Sequence, residues 1–528
     1  MKLEKTHRAR AFGLVMSLLF GQAAWSAEYV VTNTESQGTG SLYEALEMAN
    51  EAAGPDTIRF DTALFSTPQT ISVSRDLIVR DDVMIEGPGS EMLSLVATPQ
   101  RYGLLSIGLR DGPEVTATVR GLTLEGMPGG NNKVLTTITR ANATLIDIRY
   151  VSNGFFFPRN SGSAISIFDA EVSIDDCFVE GFSSTYRGGA VLIGSIFGGR
   201  FDVTIRRSVL RGNEVVQSDA AVLGKKGAAI YAYTPTTPST ASRLTIIDSE
   251  LSDNVAHQDS GGALATHGAV HLSISNSTIS GNHSGRDGGA IATHNDTVIG
   301  TTISVDTSTI TGNRAIGYSG GIHIGGTGLQ SLSVTNSVVA ANASELPQSA
   351  SNRDILVPIE VTTAYSHIGD SALANANVNI VSGGSPMDSN IIGEDPILGP
   401  LSENGGPTRT HAILSGSPLL DAASPGVHPR DNNVPLPSSD QRGPGYARSS
   451  GGASDIGAYE FQVVPPPPPP PAGQSSGGGG AISLWVALFL VLARYGRTRS
   501  RVIASSDGRC TADHDASQVV ARGGRCRA

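Results

Sequence analysis

Two neighbouring stretches in the middle of the chain are near copies of each other, and this repetition indicates the fold. Residues 261–282 read GGALATHGAVHLSISNSTISGN, and residues 288–313 read GGAIATHNDTVIGTTISVDTSTITGN. Each begins with two glycines and ends in Asn, and between them apolar residues alternate with Ser, Thr and Asp in the two-residue period of a β-strand. No helical pattern separates these strands, which excludes the α/β folds in which strands and helices alternate.

The same unit recurs along the chain. Its ending appears as SVLRGN (208–213), SELSDN (249–254), STISGN (277–282), STITGN (308–313) and SVVAAN (337–342). In each ending an apolar residue stands three positions before the Asn, and we use it to mark the turn. Further upstream the same pattern gives the markers Val179, Val151 and Leu124, and successive markers lie 27 to 41 residues apart. A period of about 30 residues indicates a repeat architecture and suits a three-sided coil of short strands. We predict an all-β fold, a right-handed parallel β-helix whose turns bury their apolar faces together.

Asparagines close these units at equivalent points. Because stacked strands lie about 4.8 Å apart, equivalent asparagines form a column that can share side-chain hydrogen bonds. We predict a structural ladder, with a sugar-binding row as the alternative; its members are Asn213, Asn254, Asn282, Asn313 and Asn342. Cys177 falls in the column of serines just upstream, where we predict a buried free thiol rather than a reactive one.

Segments at both ends of the coil are expected to cap it, since open sheet edges invite association. In residues 38–60, Ser41 can begin a short N-terminal capping helix; the apolar face of this helix would be Leu42, Ala45, Leu46 and Ala49. Residues 403–424, with DQRG (440–443) and DIGAYE (455–460), are expected to close the other end, with His411 and Asp421 in structural roles.

The first 27 residues have the features of a secretory signal peptide. Four basic residues precede an apolar run at residues 11–20, and small residues follow up to Ala27. A membrane anchor is the alternative, but the run is far shorter than the roughly 20 residues that span a bilayer. We therefore expect export.

The C-terminal residues fall into three compositions. A Pro/Gly-rich linker covers residues 463–480, an apolar segment covers 481–493, and a basic tail covers 494–528. This order resembles the GlyGly-CTERM sorting signal, which implies a rhomboid-type sorting protease and delivery to the bacterial surface. A single membrane span is the alternative, with its arginines on the cytoplasmic side.

The charge of the chain is unevenly distributed. The formal charge is −11 over 528 residues; the ends carry +3 (residues 1–27) and +5 (494–528), which leaves −19 for residues 28–493. So acidic an exterior argues against nucleic acid as a partner, because binding phosphates needs clustered Lys and Arg. It favours divalent cations such as Ca²⁺, although no motif requires a cofactor.

At residues 40–60, GSLYEALEMANEAAGPDTIRF resembles the GSLREAI…AN…DTI signature of bacterial surface β-helix proteins of the CSLREA-domain and choice-of-anchor type. NGGPT, DQRG and DIGAYE are similar to the closing motif of the same proteins. The repeat halves also resemble the GGAI and FxxN repeats of chlamydial polymorphic outer-membrane proteins. The resemblance covers roughly residues 28–462 and implies a pectin-lyase-like solenoid at the cell surface; it implies no activity, because fold does not determine function.

Charged residues of opposite sign align on neighbouring turns. Asp175 and Asp176 lie beside Arg206 and Arg207, and they are the catalytic candidates. Polysaccharide lyases of this fold hold Ca²⁺ with acidic residues and take the sugar proton with a basic one. The alternative is a ladder of opposite charges that stabilises adjacent strands.

Rings at equivalent points of consecutive turns are the binding candidates. His267 and His294 are expected to face outward, where stacked imidazoles can bind a transition metal or titrate as a pair; exposed stacking without a ligand is the alternative. In the next turn, a one-residue slip is expected to keep His323 outside. Tyr231 and Tyr233 are expected to form an outward platform for a sugar ring, with ordinary exposed tyrosines as the alternative.

Together these patterns predict an exported, surface-anchored β-helix that is adhesive or glycan-contacting, and the sequence by itself demonstrates no catalytic role. A polysaccharide lyase or glycoside hydrolase on the same fold is the first alternative, and a structural surface-coat protein is the second. The expected partners are an extracellular glycan or a host or cell-surface protein, and the membrane through residues 481–493. The exported part divides into an N-terminal cap with the first turns (28–115), the repeat region (116–345), and the last turns with the C-terminal cap (346–462).

Overall fold

The computed structural model describes most of the chain between residues 26 and 462. The gaps are residues 99–102, 127–133, 153–155, 158–162, 185–187, 197, 217–226, 236–237, 239, 347–352, 360, 370–379, 383–388, 426, 429–430 and 451. The chain divides into two compact units after Val463. The expected linker, apolar segment and basic tail lie outside the described residues, as do residues 1–25 of the expected signal peptide. Among the described helices, none has the length and apolar character to cross a membrane.

The described residues form a parallel β-solenoid of about 10 turns, which confirms the all-β prediction and is consistent with a parallel β-helix. A complete turn has four strands, and equivalent strands of successive turns pair in parallel to give four ladders. The first and second ladders belong to one 23-stranded sheet, the third is a 7-stranded sheet and the fourth a 10-stranded sheet. The coil therefore has the three sheets expected, with one of them bent.

The strands of the first ladder are Glu28–Val31, Asp56–Phe60, Val83–Glu86, Val115–Glu125, Ala141–Val151, Glu171–Asp175, Asp202–Arg206, Ser242–Ile247, Val270–Ser275, Thr301–Asp306, Gln330–Thr335, Val361–Ala364 and Ile380–Ser382. Val115–Glu125 and Ala141–Val151 continue into the second ladder, whose other strands are Gln69–Val73, Leu93–Ala97, Phe178–Glu180, Val209–Arg211, Glu250–Ser252, Thr278–Ser280, Thr309–Thr311, Val338–Ala340, His367–Ile368 and Ile391–Ile392.

The third ladder consists of the two-residue strands Phe156–Phe157, Ser183–Ser184, Glu214–Val215, Val255–Ala256, His283–Ser284, Arg314–Ala315 and Ala343–Ser344. The fourth consists of Leu77–Val79, Leu105–Ile107, Val134–Thr139, Ser163–Phe168, Val191–Gly194, Ile230–Tyr233, Leu264–His267, Ile291–His294, Ile322–Gly325 and Ile355–Leu356. Two antiparallel pairs follow the coil, Leu398–Ser402 with Thr410–Ile413 and Val427–His428 with Asp431–Pro435, and a 3₁₀ turn spans Leu64–Ser66.

Aliphatic columns fill the interior of the coil. Leu251, Ile279 and Ile310 pair in register on the second ladder and are fully buried. The upstream extension of this column through Val151 is wrong by one residue, because Tyr150 pairs with both Leu124 and Val179. Its hydroxyl donates to Oγ1 of Thr136 at 3.1 Å, and this satisfies the polar end of a ring that is 1% exposed.

The bend between the first two ladders needs a left-handed residue in each turn. Eight equivalent residues take φ between 45° and 53° there: Asp147, Asp176, Arg207, Asp248, Asn276, Thr307, Asn336 and Tyr365. Asp and Asn tolerate this conformation better than most side chains, which accounts for their frequency at this corner. At the next corner Gly181, Gly212, Gly281 and Gly312 take the positive φ.

An α-helix covers the N-terminal end of the coil, as predicted. It spans Leu42–Glu51 and buries Leu42, Ala45, Leu46 and Ala49. The Ser41 hydroxyl accepts from the Glu44 N–H at 3.2 Å, and the Glu44 carboxylate accepts from the Gly40 N–H at 2.6 Å. This exchange resembles a capping box, which fixes where the helix begins.

The described part of the C-terminal segment packs against the outer flank of the solenoid. Arg409 contacts buried Glu250 at 2.6 Å, Gln441 accepts from Thr278 at 2.6 Å, and Arg448 contacts Asn276. These partners lie on the outward side of the second ladder or at its corner. Apolar packing joins the same surfaces through Val338, Ala340, Ile413, Leu419 and Ile456. The segment therefore buries the outer face of several turns at once.

Candidate functional site

The outward side of the fourth ladder carries the ring residues singled out from the sequence. Along each strand of this ladder alternate residues face the core, as Leu264 and Ile291 do at 0% exposure. The residues between them form two outward columns, which we call the ring face. Its first column is Leu192, Tyr231, Ala265, Ala292 and His323, and its second is Gly194, Tyr233, His267, His294 and Gly325.

The two tyrosines stack on each other instead of standing side by side in solvent. Their ring centroids are 5.4 Å apart and the planes differ by 15°. A Cβ on Gly194 would come within 2.7 Å of the Tyr233 ring, so this ring lies over the glycine. Tyr231 packs with Leu192 and Ala265 and is only 5% exposed. The expectation of two exposed rings is therefore wrong for Tyr231, whereas Tyr233 stays partly exposed at the edge of this cluster.

The two histidines stack on consecutive turns. His267 pairs directly with His294 in the ladder, the ring centroids are 5.7 Å apart, and the planes differ by 17°. His294 has 33% of its side chain exposed, so the imidazole edge reaches solvent. The parallel register therefore brings together two ligating side chains that are 27 residues apart in sequence.

Asp296 adds a carboxylate that the sequence patterns did not single out. Its Oδ2 lies 2.8 Å from Nε2 of His294, and its Oδ1 accepts from the Thr327 N–H at 3.2 Å. Potential ligand atoms of His267, His294 and Asp296 all lie within 4.8 Å of one another. The signal was present in the letters THND, where Asp296 follows His294 by two residues, but only the structure shows that the chain bends to bring the carboxylate back to the ring.

His323 joins the ring face from the next turn. Its strand pairs with Ile291–His294, but the register is shifted by one residue relative to the glycine pairs that precede the two strands. This is the slip expected. The His323 side chain therefore faces outward opposite Ala292. The ring stacks on Tyr318 at 6.4 Å and 15°. Burial lowers the pKa of His323, the nearby Asp287 partly offsets this shift, and His294 adds to it. Burial therefore favours the neutral form of this imidazole close to the histidine pair.

The acidic and basic catalytic candidates pair with one another. Arg207 contacts Asp175 at 2.6 Å and makes two hydrogen bonds to the Asp176 carboxylate at 2.8 and 2.9 Å, while Arg206 is the register partner of Asp175. The hydrogen bond to Asp176 is the largest cause that raises the pKa of Arg207. A guanidinium held charged in this way does not serve as a base. Asp176 and Arg207 also occupy the left-handed corner, a conformation that Asp tolerates better than most side chains.

The asparagine ladder and Cys177 lie in the interior, away from the ring face. Each asparagine side chain from Asn213 to Asn313 donates to the amide oxygen of the next one at 2.8–3.0 Å, and Asn342 ends the series on Asp354. Cys177 is a buried free thiol, and burial raises its pKa to about 12. An unreactive thiol follows, since the thiolate is the nucleophile.

No protein-family model and no curated protein matches the sequence. Among solved structures, ORF18 of Geobacillus virus E2 shares 8% identity with a TM-score of 0.31 over 58% of this chain and 61% of that one. Bacteriophage CBA120 tailspike protein 3 shares 11% identity with a TM-score of 0.29, over 66% of this chain and 58% of that one. The mannuronan C-5 epimerase AlgE6 A-module of Azotobacter vinelandii shares 13% identity with a TM-score of 0.30, over 69% of this chain and 95% of that one. This chain thus matches about three fifths of the length of the first two, and likenesses at this level carry nothing about activity or ligand.

Proposed function

We propose that the protein is an exported, surface-attached β-helix that contacts glycans through the ring face. The observation that carries the proposal is the row of rings on one side of the coil, with Tyr233, His267 and His294 aligned in one column and Tyr318 with His323 beside it. Flat ring faces offer apolar contact to a sugar ring, and the neighbouring imidazole and carboxylate groups can bond its hydroxyls. Export and surface attachment rest on the composition of residues 1–27 and 463–528, and a bacterial envelope is the expected location.

The charge of the chain narrows the kind of glycan. The formal charge of −19 over residues 28–493 disfavours polyanionic glycans, because the negative charges of the protein would repel those of the glycan. We therefore expect an uncharged glycan, held by several weak contacts along consecutive turns. A rigid ladder suits this mode of binding, since its rings are ordered before the ligand arrives.

A polysaccharide lyase remains the alternative of another class, but no contact among the described residues favours it. Asp175, Asp176 and Arg207 form a closed ion-pair cluster, and their mutual contacts leave the arginine charged. A surface-coat protein without a ligand is the second alternative. The same experiment separates all three.

The test is a glycan array probed with the purified protein, with and without Ca²⁺, followed by analysis of the bound glycans for cleavage products. We expect binding to uncharged glycans without product, and about a two- to tenfold loss of affinity in Tyr233→Ala, as removal of one ring contact would give. Phe461→Ala is the matched control, since Phe461 is an aromatic residue 41% exposed on the C-terminal segment. Cleavage products would support the polysaccharide lyase and contradict the proposal. Absence of binding to any glycan would also contradict it and would support a surface-coat protein without a ligand.

A further inference from the structure

We propose that His267, His294 and Asp296 form a binding site for a divalent transition-metal ion, with Zn²⁺ as the best-suited ion. The three residues come from two consecutive turns of the fourth ladder and the loop that leaves the second of them. This proposal goes beyond glycan contact and does not depend on it, because its readout is metal binding alone.

The geometry already places the ligand atoms at the scale of a metal site. They lie within 4.8 Å of one another, and the Nε2–Oδ2 separation between His294 and Asp296 is 2.8 Å. Zinc bonds of about 2.0–2.2 Å place neighbouring ligands a little over 3 Å apart in a tetrahedral site. A metal ion can therefore replace the proton shared by His294 and Asp296 after a small separation of the two groups. His267 offers its ligand atom within 4.8 Å of the ligand atoms of both other residues.

The surroundings hold two of the ligands in place. The ladder register ties the backbone of His267 to that of His294, so the stacking does not depend on side-chain contacts alone. The Thr327 N–H bonds the Asp296 oxygen that does not face His294, and this fixes the carboxylate. A side chain at Gly325 would come within 3.0 Å of His294 Nδ1, so the glycine leaves room for this ring. Outer contacts that orient ligands in this way are typical of metal sites.

The chemistry of the donor set selects the ion. Two imidazoles and one carboxylate match the ligands that Zn²⁺ takes, and three protein ligands leave a fourth position open. Ca²⁺ prefers six to eight oxygen ligands, so it fits this set poorly. The net acidic charge of the exported part adds attraction for any divalent cation.

A second histidine–carboxylate pair on the molecule provides the comparison. His257 Nε2 lies 3.0 Å from Glu214 Oε2, with exposures of 47% and 41%, much like the His294–Asp296 pair. Among the described residues, however, only the His267 cluster brings three ligating groups together within one ion's reach. The His257 pair should therefore bind metal no better than an ordinary surface pair.

The experiment is a calorimetric titration of the full chain, produced without a histidine tag and stripped of metal, with Zn²⁺ and separately with Ca²⁺. We expect one Zn²⁺ per chain and much weaker Ca²⁺ binding. His294→Ala and Asp296→Asn should each lower Zn²⁺ affinity at least about tenfold, and His257→Ala should leave it unchanged. Circular dichroism of each variant checks the fold, which substitutions at these partly or fully exposed positions should not alter.

Cobalt provides a readout that a structural effect would not produce. Co²⁺ in a four-coordinate site with imidazole ligands absorbs visible light strongly, and we expect this band in the unaltered protein and in His257→Ala but not in His294→Ala. The proposal is overturned if Zn²⁺ does not saturate one site per chain, or if a folded His294→Ala variant keeps the Zn²⁺ affinity of the unaltered protein. It is also overturned if His257→Ala loses as much Zn²⁺ affinity as His294→Ala.

Discussion

Asn282 shows how a single buried side chain can join three turns of the coil. Its Oδ1 accepts from both the backbone N–H and the side-chain amide of Asn254, at 3.0 and 2.9 Å. Its Nδ2 donates to the Leu251 carbonyl at 3.0 Å and to Oδ1 of Asn313 at 2.8 Å. The amide is 1% exposed, so none of these groups has water as a substitute partner. The column of asparagines therefore supplies hydrogen bonds that an aliphatic side chain cannot replace.

This leads to a prediction for Asn282→Ala. Removal of the amide leaves at least two polar groups of the neighbouring turns buried without a partner, and each costs about 1–3 kcal/mol. We expect the free energy of unfolding to fall by roughly 2–5 kcal/mol, measured by urea denaturation. Asn142→Ala is the matched control, because Asn142 is exposed in strand Ala141–Val151 and its loss should cost about 0.5 kcal/mol or less. Equal losses in the two variants would contradict the role assigned to the ladder.

At the scale of elements, the C-terminal segment is held by polar contacts to the second ladder. Arg409 bonds the buried Glu250 carboxylate through its side chain and through its backbone N–H. His411 lies nearby: its Nδ1 is 2.7 Å from the Gly399 carbonyl oxygen, and its Nε2 is 2.8 Å from the Ser280 hydroxyl. Nδ1–H donates to the carbonyl, which only accepts. In the neutral ring, the form that burial favours, Nε2 then accepts the hydroxyl proton of Ser280.

We predict that this contact weakens on acidification. Burial lowers the pKa of His411 below its ordinary value, although Gly399 and Glu250 oppose the shift. The unfolded chain, with a histidine pKa of about 6.5, then binds more protons than the native chain, so stability falls as the pH drops below about 6.5. His411→Gln should cost roughly 1–2 kcal/mol at about pH 7.5 and less at about pH 5, measured by urea denaturation.

The control for this prediction is His257→Gln. The His257 ion pair to Glu214 is exposed, and surface pairs contribute about 0–1 kcal/mol. A cost of His411→Gln that stays constant or grows on acidification would show that the neutral imidazole does not hold the segment.

At the scale of the whole molecule, each turn contacts mainly its neighbours, so stability should be close to a sum over turns. Strand Glu171–Asp175 pairs with Asp202–Arg206 at a constant offset of 31 residues. Removal of residues 171–201 therefore deletes one complete turn and lets Ala141–Val151 meet Asp202–Arg206 in register. Asp147 would then lie beside Arg207, which keeps opposite charges adjacent at the corner.

We predict that this deletion variant folds. Its far-UV circular dichroism should match that of the unaltered protein, with a cooperative thermal transition, because the inward columns stay in phase. Deletion of residues 171–186, about half a turn, should abolish the transition, since the following strands would no longer meet their partners. If both deletions behave alike, the turns do not act as independent units.

The sequence alone was sufficient for the repeat, the parallel coil and the helix at its N-terminal end. The alternation of Leu272 and Ile274 with serines, and the glycine and asparagine that end each unit, are local signals that every turn repeats. The one error in the column, Val151 for Tyr150, arose because an aromatic residue replaces the aliphatic marker. A local pattern can locate a strand, but it cannot tell which of two adjacent apolar residues points into the core.

The composition of the sites depends on the tertiary structure. It brought Asp296 to the imidazole pair, closed the Asp175–Asp176–Arg207 cluster on itself, buried Tyr231, and laid the C-terminal segment along the flank. Each of these depends on the register between turns or on docking of residues more than 150 positions apart, as Glu250 and Arg409 are. Burial of apolar residues repeats along the sequence and can be predicted from it, whereas contacts across turns depend on how the coil stacks.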